Sequence, residues 1–116
     1  MKVSYLYEAK DQNVMSQFNE VQGVPVGAFG EFITSYIDKK MFFSTDTAKD
    51  KRDLLKYLSG RYGIKSNYSC GIRDDKNTLI GCLVVNYHHG VNDLKLPELK
   101  LIEKTATRLG VLLSND

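Results

Sequence analysis

With 116 residues the chain has the length of a single domain, residues 1–116, which buries roughly two-thirds of the surface its unfolded form exposes and needs no staples. A hydrophobic share of 42% beside 26% charged residues is ordinary globular usage and points away from disorder. A net charge of +2, with acids and bases interleaved, gives no footprint for nucleic acid, so no nucleic-acid partner is expected.

No apolar run reaches the ~18 to 20 residues of a spanning helix, and Met1-Lys2-Val3-Ser4-Tyr5 lacks the apolar stretch of a secretory signal. The expected location is cytoplasmic, or membrane-tethered if an N-terminal anchor has been removed; contact with a membrane would run only through a segment outside these residues.

Val3-Ser4-Tyr5-Leu6-Tyr7 is β-rich, and the polar turn Lys10-Asp11-Gln12-Asn13 leads to a weaker extended stretch over 14–18, so the chain opens on a predicted hairpin. After Gly23-Val24-Pro25, the residues Val26, Phe29, Ile33 and Ile37 recur at three- and four-residue steps, which predicts an amphipathic helix ending near Lys40. Met41-Phe42-Phe43 is too short for a helix and reads as a brief buried strand. Thr45, Asp46 or Thr47 can cap a helix whose stripe runs through Ala48, Leu54 or Leu55, Leu58 and Tyr62, with Gly60 and Gly63 favouring its end.

Tyr68, Cys70 and Ile72 alternate with Ser69 and Gly71, residues 79–85 are almost unbroken apolar, and Asp74-Asp75-Lys76-Asn77 lies between. This is the clearest hairpin signal in the chain. Past His88-His89-Gly90, Pro97 suits a first helical turn, and Leu99, Ile102, Ala106, Leu109 and Leu113 follow at helical steps. The sum is an α+β class: an antiparallel sheet covered by helices.

Within the hairpin, a three-residue loop of Asp75, Lys76 and Asn77, with Asn77 left-handed, sets Ile72 opposite Ile80 and Cys70 opposite Cys82. That register puts the two β-carbons ~4.5 to 5.5 Å apart, against about 3.8 Å for a relaxed disulfide, so neighbouring reduced thiols are expected. A redox switch is the functional alternative to two small buried residues packing side by side.

No candidate chemistry converges. His88 and His89 are the only histidines, and as neighbours on an extended strand they point to opposite faces, which suits solvated loop residues better than a metal site. Asp74 and Asp75 read as turn residues before cation ligands. Both cysteines sit in predicted strands with no histidine near them in sequence, so no catalytic residue is assigned, and neither a metal nor a cofactor is expected. Lys100, Lys104 and Arg108 form a basic stripe, partly neutralised by Glu98 and Glu103, and read as a solvated helix face before a lipid-binding one.

The element order, with Ile80-Gly81-Cys82-Leu83 in the last long strand and Phe43-Ser44-Thr45-Asp46 leading into a helix, resembles the GAF family of sensory and regulatory domains. The resemblance implies a central antiparallel sheet of about five strands with helices on both faces. It also implies a small-molecule site between the sheet and the two middle helices, at Phe29, Phe43, Asp46, Leu58, Tyr62 and Tyr68. Filling of a core is the competing role for those aromatic residues. The family's cyclic-GMP signature and an attachment cysteine for a bilin are not matched, so the ligand is not named.

Residues 2–7, Val24-Pro25-Val26, 43–46, 68–85 and the last helix also look like the soluble part of small phage proteins, often labelled holins, in which a membrane helix precedes a GAF-like domain. Glu8-Ala9-Lys10-Asp11 stands where those proteins carry a His-Asn-Gly-Gly-like stretch.

GAF domains usually begin with a helix packed beside the C-terminal one, and this chain begins at the first strand, so a partner protomer or a preceding segment is expected to supply it. With Leu101, Val111 and Leu112 forming a second apolar set, a homodimer through the C-terminal helix is expected. The functional expectation is a non-enzymatic regulatory domain acting through a small ligand, self-association or both. The alternative is a phage lysis protein's soluble domain with no ligand, and a GAF-like reductase ranks below it.

Overall fold

The computed structural model describes residues 30–39 and 41–114. The expected opening hairpin at 3–18 and Phe29 lie outside them. Among the described residues the order is α1 (Gly30–Ile37), β1 (Phe42–Ser44), a 3-10 turn (Thr47–Lys49), α2 (Asp53–Tyr62), β2 (Ser66–Arg73), β3 (Leu79–Tyr87) and α3 (Leu96–Ser114). The strands form one antiparallel sheet in the order β1-β2-β3, so three of the roughly five expected strands are described.

Register decides what each helix meets, because successive side chains of a strand point to opposite faces. Phe42 pairs with Ser69 and Gly71 with Cys82. The first face is covered by α1 and α2: Phe32, Tyr36, Phe42, Leu55, Leu58, Tyr62 and Ile64 form one buried cluster. Small strand residues let α1 come close. A β-carbon on Gly71 would stand 2.6 Å from Leu79 Cδ1 and 3.1 Å from Tyr36 Cβ, and the Tyr36 hydroxyl donates to Ser69 Oγ at 2.7 Å.

The opposite face carries Tyr68, Cys70 and Ile72, which pack with Ile102 and Ala106 of α3 and with half-buried Leu83, Val85 and Leu99. Helices therefore cover both faces, as the alternation of β2 requires.

The single helix expected across 48–62 is divided. Asp46 caps the 3-10 turn by accepting from the Ala48 amide at 3.2 Å. The chain then runs extended through Asp50 and Arg52 before α2 begins. Asp50 causes the break: its carboxylate accepts from the Arg52 backbone amide at 3.0 Å, a local bond that competes with a helical one. Ala48 is consequently exposed, while Leu55 and Leu58 are buried. Gly63, at φ 69, ends α2 in the left-handed conformation and donates to Ser59 O.

The hairpin loop forms as expected at its tip. Asn77 is left-handed with φ 65, Asp74 and Thr78 pair across it, and Arg73 lies opposite Leu79. A bulge between Ile72 and Arg73 then shifts the ladder by one residue, so Cys70 faces Leu83 and Gly71 faces Cys82. This corrects the expected pairing of the two cysteines. They lie on opposite faces of the sheet, since a one-residue slip inverts every side chain beyond it.

Along α3, Ile102 and Ala106 are buried, Leu99 and Leu109 are half-buried, and Gly110 is buried where it crosses the sheet. Leu113, expected on the inner stripe, is 50% exposed beyond the end of that contact. Before the helix, Tyr68 anchors the connecting loop: its hydroxyl donates to Asn92 O and accepts from Leu94 N at 3.1 Å.

Candidate functional site

The expected pocket residues that are described fall into separate groups: Leu58 with Tyr62, and Phe43 with Tyr68 and, along one groove, with Asp46. Leu58 and Tyr62 belong to the core under α1 and α2. Phe43 and Tyr68 pair with each other across the β1–β2 ladder and stack with centroids 6.0 Å apart, on the α3 side. Asp46 lies at the start of the 3-10 turn, bonded to Ala48 and 4.0 Å from Lys49 Nζ. The reason is a one-residue offset: in the run Met41-Phe42-Phe43 it is Phe42 that turns toward α1. Phe42 packs on Phe32, with centroids 4.1 Å apart, and Phe32, Tyr36, Phe42 and Tyr62 fill the space between the sheet and the two helices among the described residues.

An open groove of about 430 Å³ lies along β1, lined by Phe43, Ser44, Asp46, Lys49, Asp50 and Arg52 among others. Its wall is an ion pair. The Arg52 guanidinium donates to Asp50 Oδ1 from Nε at 2.9 Å and to Oδ2 from Nη2 at 2.8 Å. Nη2 also reaches the Phe43 carbonyl at 2.8 Å, and the cation stands 4.5 Å above the Phe42 ring. The Arg52 hydrogen bonds hold the Asp50 carboxyl well below the ordinary carboxylate range, with help from the Ser44 hydroxyl. Sequence reasoning did not single out this pair. The only signal was Asp and Arg two residues apart ahead of a helix.

Two further polar features face α1 and α2. Asn67 is buried and donates from Nδ2 to Asn86 Oδ1 at 2.7 Å, while its own Oδ1 has no hydrogen-bond partner among the described residues. Tyr36, buried, has its hydroxyl pushed well above the ordinary phenol range by desolvation, so it acts as a neutral donor to Ser69.

The thiols are ill suited to nucleophilic chemistry. Burial pushes Cys70 up to about 11, assisted by the charge of Glu103. Burial also raises Cys82, although part of that residue reaches solvent. A thiol so raised is protonated at neutral pH. His88 Nδ1 lies 3.1 Å from the Tyr62 carbonyl, so that nitrogen carries the proton of the bond and fastens the end of β3 to the end of α2. Among the described residues no three His, Cys, Asp or Glu side chains are gathered as metal ligands, and no helix is long and apolar enough to cross a membrane.

No protein-family model matches the sequence, and no curated protein matches it. Solved structures do. The cyanobacteriochrome receptor PixJ superposes with a TM-score of 0.77 over 96% of this chain and 73% of its own length, at 14% identity. The fold is GAF-like. The far-red-absorbing dark state of JSC1_58120g3 with bound biliverdin IXa agrees with a TM-score of 0.75 over 95% of this chain and 71% of its own, at 16% identity. The GAF domain region of a Geobacter sulfurreducens protein is 26% identical over 66% of this chain, with a TM-score of 0.57, and the match spans about half (51%) of that structure. The described part supplies three antiparallel strands, two helices on one face and the C-terminal helix on the other.

Proposed function

We propose that the protein is a non-enzymatic GAF-like regulatory domain that acts through a small-molecule ligand, through self-association, or through both. The observation that carries this reading is the agreement of 96% of the chain with a cyanobacteriochrome receptor, a sensor. The chemistry of the described residues supports the non-enzymatic part: both thiols are raised and the one half-buried histidine is held by a backbone carbonyl. On the ligand side, the buried Oδ1 of Asn67, which has no partner among the described residues, leaves roughly 1–3 kcal/mol to be recovered by a donor that reaches it.

The experiment is a thermal melt with biliverdin IXa, cyclic AMP and cyclic GMP added separately. Binding at about 100 times Kd raises the melting temperature on the order of 10 °C for a domain this small. No shift with any of these probes, in a protein that is also strictly monomeric, overturns the reading.

A second reading, the soluble domain of a membrane-anchored phage lysis protein with no ligand, draws on one observation. Phe32, Tyr36, Phe42 and Tyr62 fill the face where GAF ligands are expected, which favours the self-association arm. The comparisons lend nothing to a phage origin.

A further inference from the structure

The β2–β3 turn is fastened to the helix on one face of the sheet and to the helix on the other, and Arg73 makes both attachments. Its guanidinium passes to the α1 side, where Nη2 donates to the carbonyls of Tyr36 at 2.8 Å and Ile37 at 3.3 Å, while Nη1 donates to Asn77 O of its own turn at 2.9 Å. Those two carbonyls belong to the last turn of α1, at the negative end of the helix dipole, where the Tyr36 carbonyl also accepts from the Lys39 amide at 3.0 Å. Lys39, left-handed with φ 58, ends the helix beside them.

The main chain of the same residue meets α3. A β-carbon on Gly110 would lie 2.0 Å from the Arg73 carbonyl oxygen, so helix and strand touch backbone to backbone with no side chain between them to absorb a shift. One turn later, Ser114 Oγ accepts from the Asp75 amide at 3.1 Å. The bulge between Ile72 and Arg73 sits at this junction, and a bulge re-aims the residue beside it.

We propose that Arg73 is a mechanical relay through the sheet: displacement of the C-terminal turn of α1 is passed by its guanidinium to β2, and by its carbonyl to α3 at Gly110, and the reverse. The packed backbone contact leaves no compliant layer, and coupling between two sites is reciprocal. The consequence is that the α1 face and the outward face of α3 respond together. The relay rests on geometry alone and stands whether or not the ligand reading does.

A double-mutant cycle read by hydrogen exchange with mass spectrometry tests it, using the unaltered chain, Arg73→Met, Gly110→Ala and the double variant. Gly110→Ala pushes on the junction from the α3 side. The relay predicts that backbone amides at the end of α1, Tyr36 to Lys39, then exchange about fivefold faster, with the β1 amides unchanged. In the Arg73→Met background, Gly110→Ala adds nothing further at α1. An equal effect of Gly110→Ala on α1 in both backgrounds, or none in the first, overturns the proposal. If Gly110→Ala fails to fold, Ser114→Ala, which removes only the bond from Asp75, takes its place in the same cycle under the same criteria.

Discussion

Asp50 receives two bonds from the Arg52 guanidinium and one from its backbone amide, and its carboxyl is held below the ordinary range. A depressed folded-state value means that the bond network adds stability above the unfolded carboxylate value, about 4, and loses it as pH falls from there toward the folded one. The Arg52 side chain is 40% exposed, so solvent screening limits the contribution. Asp50→Asn is expected to cost about 1 kcal/mol at neutral pH. In urea unfolding from pH 7 down to pH 3 that gap should hold to about pH 4 and narrow below it; a gap independent of pH contradicts the assignment.

Tyr68 is a second test at the same scale. Its ring packs between Phe43 and Tyr87, while its hydroxyl serves Asn92 O and Leu94 N in the loop before α3. Tyr68→Phe keeps the ring and strips the half-buried Leu94 amide of its acceptor, which costs about 1 kcal/mol. Amides at 90–95 should exchange faster while those of the β2–β3 ladder keep their relative protection. Uniform loss across the molecule would mean that the loop is not what the hydroxyl holds.

Among the elements, α3 makes the clearest prediction. Leu101 and Leu112, 64% and 63% exposed, are eleven residues apart, about three helical turns, so both lie on one outward line, with exposed Val111 beside it. Sedimentation equilibrium is expected to show a dimer. Leu101→Glu with Leu112→Glu should dissociate it at micromolar concentration without changing the circular dichroism, because neither side chain touches its own core. A wild-type protein that stays monomeric at high micromolar concentration removes the interface.

Elements were legible where a single period dominated. The hairpin and α3 follow from alternation and from three- and four-residue steps, and the left-handed Asn77 follows from turn chemistry. Two features were not legible, for physical reasons. The bulge at Ile72 leaves no composition signal, since Ile80 and Gly81 tolerate either register, and it alone separates the cysteines. The run Met41-Phe42-Phe43 is apolar throughout, so periodicity could not say which phenylalanine faces α1, and Phe43 and Tyr68, two of the six expected site residues, lie on the α3 side. The break at Asp50 was masked by the helical spacing around it, because a side-chain bond to the Arg52 amide outweighs spacing locally.

For the whole molecule, sheet order, helices on both faces and the superposition over 96% of the chain on a cyanobacteriochrome receptor agree on a GAF-like fold. The relay at Arg73 gives that framework a route from one face to the other. What distinguishes a working regulatory domain from an inert scaffold is that it engages either a small ligand or a second copy of itself. Native mass spectrometry reads both at once, as added mass and as doubled mass, on protein at tens of micromolar with and without biliverdin IXa or a cyclic nucleotide. The account predicts a dimer that Leu101→Glu with Leu112→Glu abolishes, a noncovalent adduct with one of these probes, or both; a bare monomer under every condition would contradict it.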